Sequence, residues 1–305
     1  MIISASRRTD IPAYYSDWFF NCINRGYVLV RNPMNFNQIS EINLSKDVVD
    51  AIVFWTKNPT PLIDRLEELK DYKYYFQFTL NSYGKDIEPN VPSKNEVIIP
   101  TFIKLSKKIG KEKVIWRYDP ILLNKKYTID YHIKYFRLLA SKLSNYTEKC
   151  TISFIDYYKK IDKNLKLLNI TIPTLDQQIE LIQRFSEIAE NHGIIIDTCA
   201  EYSNFEKYNV KCAHCIDKER IEKICGYRLK LNKDKNQRES CGCVESIDIG
   251  MYNTCKHECI YCYANHNKNT VIQNYSIHNP LSSLLCGSID NKDIIKKREV
   301  KSNRT

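Results

Sequence analysis

The sequence predicts an α/β protein, a parallel sheet wound as a full or partial TIM-type (β/α) barrel, and three observations carry that expectation. Apolar runs of strand length recur seven times along the chain. Each ends in a short polar group, and most are followed by a run with helical spacing. No Gly-rich loop follows any of these runs, and the 305 residues contain only eight glycines, so the phosphate-binding turn of an open doubly wound sheet is missing. That open sheet is the alternative architecture.

In chain order, residues 2–5 (Ile-Ile-Ser-Ala) run into Ser6, Arg7, Arg8, Thr9 and Asp10, and a first helix follows. Residues 26–44 break the alternation. Two short alternating segments flank Asn32, Pro33, Met34 and Asn35, which predicts an inserted hairpin over one end of the barrel. Residues 49–55 lead into Thr56, Lys57, Asn58 and Pro59. Thr60 then caps a helix, with Pro61 at its first position and Leu62, Ile63, Leu66 and Leu69 on one face. Residues 74–78 lead into Thr79, Leu80 and Asn81. The next helix repeats Phe102, Leu105 and Ile109 and stops at Gly110. Residues 113–116 lead into Arg117, Tyr118, Asp119 and Pro120, and a helix over 128–143 carries Ile129, Ile133, Phe136, Leu139 and Leu143. Residues 150–155 end at Asp156. Thr174 and Gln177 form a capping box ahead of Ile179, Ile182 and Phe185, and Gly193 ends that helix. Residues 194–198 lead into Cys199, Ala200 and Glu201.

The domain plan follows. Residues 1–203 form the main part of the barrel, 204–243 a polar, cysteine-rich insert, and 244–275 the last strand with a cysteine loop that completes the barrel. Residues 276–305 form a C-terminal segment with a basic tail.

Composition narrows the function classes. Hydrophobic residues make up 43% and charged residues 27%, an ordinary globular balance. No apolar run reaches the length of a membrane span, and the first ten residues have no signal-peptide core, so a cytoplasmic protein without membrane contact is expected. Twelve cysteines in such a compartment point to metal binding rather than to disulfides. Cys22, Cys150, Cys225 and Cys286 lie in apolar or helical surroundings and read as buried hydrophobes. The net charge of +10 owes much to the tail, where Lys292, Lys296, Lys297, Arg298, Lys301 and Arg304 predict a solvated, mobile end. Nucleic acid is compatible with this charge but not required by it.

A barrel gathers the residues past its strand C-termini into one mouth. Here these are Arg7, Arg8, Asp10, Lys57, Asn58, Asn81, Arg117, Asp119, Glu201 and the cysteine loop. Asn58 and Asp119 each precede a proline, so turn geometry alone accounts for them equally well.

Residues 253–265 set Cys255, Cys259 and Cys262 in a Cys-x3-Cys-x2-Cys run. Three thiolates this close converge on one cubic four-iron cluster, and because such a cluster usually takes four cysteines, one iron is left open to a ligand. The rival is zinc completed by His257 or His266. A second group, Cys199, Cys215, Cys241 and Cys243, is expected to hold an auxiliary four-iron cluster. A structural zinc on Cys212, His214 or Cys215 is the alternative there.

The segments 6–12 (Ser-Arg-Arg-Thr-Asp-Ile-Pro), 53–59 (Val-Phe-Trp-Thr-Lys-Asn-Pro), 117–121 (Arg-Tyr-Asp-Pro-Ile) and 248–265 resemble the family DUF1848, over nearly the whole chain. The cysteine loop and Tyr261 also resemble the cluster loop of radical S-adenosylmethionine (SAM) enzymes. The strand ends Thr56-Lys57, Leu80-Asn81, Arg117-Tyr118-Asp119-Pro120-Ile121 and Glu201 are similar, in the same order, to those of spore photoproduct lyase-like proteins. In those barrels the cluster strand comes first. Here it comes last, which implies a circular permutation with residues 244–250 beside residues 2–6.

The resemblance implies a 4Fe-4S cluster on Cys255, Cys259 and Cys262 that cleaves SAM reductively to a 5′-deoxyadenosyl radical. It implies SAM contacts from Asn81, Arg117 and Glu201, with Arg117 facing the SAM carboxylate, and catalytic or substrate-side roles for Arg7, Arg8, Asp10 and Lys57. A reductant such as flavodoxin or ferredoxin is the implied partner. The substrate is open: nucleic acid, a small molecule or a peptide. The rival class is a non-catalytic zinc or iron–sulfur protein that binds nucleic acid or transfers electrons. A zinc-dependent barrel hydrolase would need histidines at strand ends, and none of the six is there.

Overall fold

The structure is a computed structural model that describes residues 1–156, 161–199, 201 and 205–305. Ala200 and the boundary expected at 203/204 lie outside the described residues. Eleven strands are present among the described residues: β1 (Ile2–Ala5), β2 (Tyr27–Arg31), β3 (Gln38–Asn43), β4 (Ala51–Thr56), β5 (Tyr74–Thr79), β6 (Val114–Ile121), β7 (Lys149–Phe154), β8 (Ile195–Thr198), β9 (Lys211–Cys212), β10 (Ile247–Asp248) and β11 (Ile294–Lys297). The helices are α1 (Ile11–Tyr14), α2 (Ser16–Arg25), α3 (Thr60–Ile63), α4 (Ile99–Ile109), α5 (Ile129–Leu143), α6 (Asp162–Leu167), α7 (Leu175–Asn191), α8 (Lys218–Cys225) and α9 (Lys268–Ser276).

Eight strands form one parallel sheet in the order β10-β1-β4-β5-β6-β7-β8-β9. Their near-continuous apolar runs are what a sheet covered on both faces requires. One face presents Ile3, Ile52, Phe54, Phe76, Trp116 and Ile152 to the helices. Phe136 of α5 stacks on Trp116 at 4.9 Å and on Phe185 of α7 at 4.0 Å, so the two helices lock together behind β6. The capping box expected at Thr174 and Gln177 starts α7, and Gly26, at φ 83°, ends α2 in the left-handed region that glycine tolerates best.

The other face is covered by the cysteine-rich segment. Its side chains, Ile2, Ala51, Val53, Tyr75 and Ile115, pack against Cys215, Ile216, Ile221, Leu229, Cys241 and Cys243 of the cysteine-rich segment. The expected insert is therefore a layer of the core. Tyr75 Oη and Gln77 Nε2 both donate to the Cys215 carbonyl, at 2.6 and 2.8 Å. Closure into a full barrel is not seen, and β10 and β9 remain the two edges of an open sheet among the described residues. The chain entering β10 directs its hydrogen bonds to this layer instead, from Val244 N to the Ile216 carbonyl and from Glu245 N to the Asn232 carbonyl.

The hairpin expected at 26–44 is present as antiparallel β2 and β3. The basic tail is not a loose end. Strand β11 pairs with β3 in parallel, and Ser302 Oγ and Asn303 N donate to the buried Asp50 carboxylate. No helix among the described residues is long and apolar enough to cross a membrane.

Candidate active site

The polar groups at the C-terminal ends of β1, β4, β5, β6 and β8 open onto a cavity of about 300 Å³. Arg7, Arg8, Asp10, Lys57, Arg117 and Asp119 line it, as do all seven candidate ligands, Cys255, Cys259, Cys262, Cys199, Cys215, Cys241 and Cys243. Asn81, Glu201 and Asn58 are not among its lining residues.

Strand β10 delivers the cysteine loop. It pairs with β1 in parallel, Ile3 opposite Ile247 and Ser4 opposite Asp248. Asp248 then ties the two strand ends together by accepting Ser4 Oγ (2.7 Å), Ser6 Oγ (2.6 Å), Arg7 N (2.8 Å) and Gly250 N (3.0 Å). The approach is so close that a Cβ on Gly250 would lie 2.1 Å from Ser6 Oγ, which explains the glycine. Beyond it, Asn253 adopts φ 56° and its side-chain oxygen accepts His266 N at 2.5 Å, closing the loop on itself. The three cysteines are half-buried. Burial raises each thiol above its ordinary value, and Cys259 is pushed up to about 12. Backbone N–H donors aimed at two of the sulfurs counter this, His257 N at Cys255 and Ala264 N and Asn265 N at Cys262, and the charge of Lys57 counters it at Cys259. Such donors favour thiolate, the form that binds metal, so the set fits an anionic ligand triad.

Two buried networks hold the loop. In the first, Asp10 Oδ2 accepts His257 Nε2 at 2.8 Å and Lys57 N at 2.7 Å, while Oδ1 caps α1 through Ala13 N at 3.0 Å. Tyr14 Oη meets His257 Nδ1 at 2.9 Å. Both ring nitrogens of His257 are thus engaged within the protein, which removes it as a zinc ligand beside the cysteines. His266, the other candidate, is exposed and its ring stacks on Tyr252 at 5.7 Å. In the second network, Glu88 accepts Lys57 Nζ (2.8 Å), Lys94 Nζ (2.5 Å) and Tyr261 Oη (2.5 Å). Burial would raise the Glu88 carboxyl, but the two lysines outweigh it and hold it well below the usual range. Burial would likewise lower Lys57, and the charges of Glu88 and Cys259 keep it above its ordinary value.

The expected SAM contacts are placed differently from one another. Asn81 is buried and its amide bridges Asp119, Tyr261 and Glu88. Glu201 accepts Phe154 N at 2.8 Å, and burial, with Asp156 and Asp119 nearby, pushes its carboxyl up to about 7. Arg117 is buried, paired with Asp119, and turned toward the second cysteine group, where Nη1 donates to Cys215 Sγ at 2.9 Å.

That second group assembles from three separate places. Cys199 follows β8, Cys215 follows β9, and Cys241 and Cys243 flank Gly242. Cys199 Sγ lies 3.1 Å from Cys215 Sγ, and Cys243 contacts both Cys215 and Cys241. Contacts from Cys199 and Cys243, with Arg117 and Arg7 beside them, hold the Cys215 thiol well below its ordinary value. Cys243 lowers Cys241 to about 6. Cys212 stays outside: it is exposed and points at the carbonyls of Ala213 and Ser240. His214 is exposed too, with its ring against Gly242. Among the described residues, no three of His, Cys, Asp or Glu stand ready-made around a single ion.

Sequence reasoning missed Glu88, Asp248 and the clamp role of His257. Asp248 lies within the 248–265 segment with no signal of its own, and His257 reads there only as a zinc candidate. Glu88, in a loop after β5, had no local signal.

Residues 2–264 match the family described as Domain of unknown function (DUF1848). The chain belongs to that family. No curated protein matches it. Among solved structures it is similar to a Bacteroides thetaiotaomicron protein assigned provisionally as an alpha-L-fucosidase, at 12% identity over 77% of this chain and 86% of that one, with a TM-score of 0.27. That score is too low to carry an argument about fold or activity.

Proposed function

We propose that this chain is a radical SAM enzyme with a permuted, partial (β/α) barrel, its four-iron cluster held by Cys255, Cys259 and Cys262. The observation that carries the reading is the pairing of β10 with β1. A permuted barrel needs that adjacency, and it brings three half-buried cysteines to the strand-end cavity. The donors aimed at their sulfurs suit thiolate ligands.

When bound, a cluster with one open iron supplies a site for SAM and the electron that breaks its carbon–sulfur bond, freeing a 5′-deoxyadenosyl radical to take hydrogen from the substrate. The protein's own residues do the positioning. Asp10, His257 and Tyr14 clamp the N-terminal half of the loop to α1. Glu88, with Lys57 and Lys94, clamps the C-terminal half through Tyr261. Ligands held by fixed partners need no reordering on binding. Trp55, Phe154, Ile155 and Ala264 in the cavity wall limit water where a radical would form. On this reading Asp10 and Lys57 serve the cluster loop first, and Arg8, stacked on Tyr252 at 5.2 Å and 3.9 Å from Asp248, is a cation on the substrate side.

The test is anaerobic reconstitution with iron and sulfide, then SAM and a reductant such as flavodoxin, ferredoxin or dithionite. Formation of 5′-deoxyadenosine is expected, and C255A, C259A and C262A each abolish it. A protein that carries the cluster but forms none with any reductant is instead an electron-transfer or binding protein.

A further inference from the structure

We infer that Cys199, Cys215, Cys241 and Cys243 form a four-thiolate metal site whose surplus negative charge is partly offset by Arg7 and Arg117. The inference rests on these six residues and stands whether or not the 255–262 loop cleaves SAM.

Four observations carry it. The sulfurs form one connected group, with Cys199 and Cys215 3.1 Å apart and Cys243 in contact with both Cys215 and Cys241. Cys215, Cys241 and Cys243 are buried in the layer that covers the sheet, and Cys199 is half-buried beside them. Two guanidinium groups are buried beside them. Arg117 Nη1 donates to Cys215 Sγ at 2.9 Å, and Arg7 lies close enough to Cys243 and Cys215 for their charges to act on one another. Arg7 Nη2 is buried with no hydrogen-bond partner among the described residues, although Nη1 is 3.8 Å from Asp234 and the group stacks over Trp55 at 5.1 Å.

Charge and chemistry then agree. Four thiolates around a divalent ion, or around an iron–sulfur core of the same charge, leave two negative charges. An unbalanced surplus of that size is costly to bury, and the two arginines, which Asp119 and Asp234 also face, offset part of it. An N–H···S bond from Arg7 Nη2 to a ligating sulfur would satisfy that donor and tune the centre. All-thiolate ligation selects zinc or an iron–sulfur cluster over hard cations. In the present geometry two sulfurs are too close. A tetrahedral site with metal–sulfur distances of about 2.3 Å has edges of about 3.8 Å, so loading spreads the group by several tenths of an ångström. Backbone bonds hold the frame within which they spread: Cys199 N to the Ile152 carbonyl, and Ile216 N to Cys243 Sγ.

The test is metal and sulfide content of anaerobically purified and reconstituted protein, with a folded-state check by circular dichroism. The variant C255A/C259A/C262A is expected to keep either about four irons and four sulfides or about one zinc per chain, the two arms separating cluster from zinc. The variant C199A/C215A/C241A/C243A loses that complement, and C212S, outside the group, does not. R117Q, which removes the donor to Cys215, loses most of the second-site metal and shifts its absorption spectrum. If a variant fails to fold, the wild-type count decides: metal beyond one cluster supports the site. Iron and sulfide for one cluster only, without zinc, overturns it. Absence of 5′-deoxyadenosine with this metal still present would sink the proposed activity and leave the site standing.

Discussion

The two cysteine groups face one cavity but are built in opposite ways. Cys255, Cys259 and Cys262 come from a single loop, and their spacing alone brings them together. Cys199, Cys215, Cys241 and Cys243 come from the end of β8, the turn after β9 and a Cys-Gly-Cys pair, and only the fold unites them. Their charged neighbours differ. The loop lies among carboxylates, Asp10 and Glu88, with Lys57 between them. The second group lies against Arg7 and Arg117. Three thiolates suit a centre with an open position, and four suit a closed one. The pairing of cations with the larger thiolate set is what burial of charge requires.

The strongest way to break this contrast is to remove a sulfur from each side. C259A is expected to drop 5′-deoxyadenosine formation below detection. C241A should lower metal content while the absorption of the first cluster persists. If C241A alone strips all iron, the two groups are one site and the contrast fails.

Removing Glu88 tests the carboxylate side. E88Q leaves Lys57 and Lys94 without the carboxylate charge they share. The expected loss is about 3–5 kcal/mol in urea unfolding, as for other broken buried ion pairs. A loss under about 1 kcal/mol would mean the lysines find water instead.

Acid stability sharpens the contrast by isolating a group that belongs to neither side. His132, behind β6, meets Tyr118 Oη at 2.8 Å and the Leu122 carbonyl at 2.8 Å. A carbonyl only accepts, so Nε2 carries the proton and Nδ1 accepts from Tyr118. Burial pushes this imidazole down from 6.5 to about 4. The unfolded chain therefore takes up the proton first, and stability falls as pH drops from about 6.5 to about 4, by about 3 kcal/mol, then levels off. H132Q should show a flatter slope over that window than the parent. An unchanged slope would assign the acid sensitivity elsewhere.

The smallest effects come from the two glycines that guard the groups. A methyl on Gly250 meets Ser6, which Asp248 holds in place, so G250A costs about 1–3 kcal/mol. A methyl on Gly242 meets the His214 ring at 2.3 Å, but that ring is exposed and can swing away. G242A should cost under about 1 kcal/mol. Equal costs would show that His214 is held as firmly as Ser6.

Much of the sheet was legible. Six of the seven expected strands span most of their expected residues, because a strand buried on both faces must be apolar nearly throughout. The seventh, expected at 244–249, is reduced to two residues because its neighbours bond to the cysteine-rich layer. Closure was not legible: whether edges meet depends on what covers the face between them. The solvated tail was misread because its lysines mask Ile294 and Ile295, whose backbone adds a strand to β3 while their side chains stay exposed. Arg7, Asp10, Lys57 and Arg117, expected at strand ends, line the cavity, but strand-end polarity does not say which way each side chain turns.

Local spacing is sufficient for the three-cysteine loop, since four- and three-residue separations keep the sulfurs within reach in almost any compact turn. The alternation of apolar runs and caps likewise sets the parallel α/β layering without reference to distant residues. The partners of Arg117 and Asp10, the buried Glu88 and the meeting of Cys199, Cys215, Cys241 and Cys243 depend on contacts between segments far apart in the chain. Those contacts exist only once Tyr75 and Gln77 anchor the cysteine-rich layer to the sheet and β10 docks on β1. Long-range packing has no signature in short-range spacing, and it is what gives each cysteine group its charge.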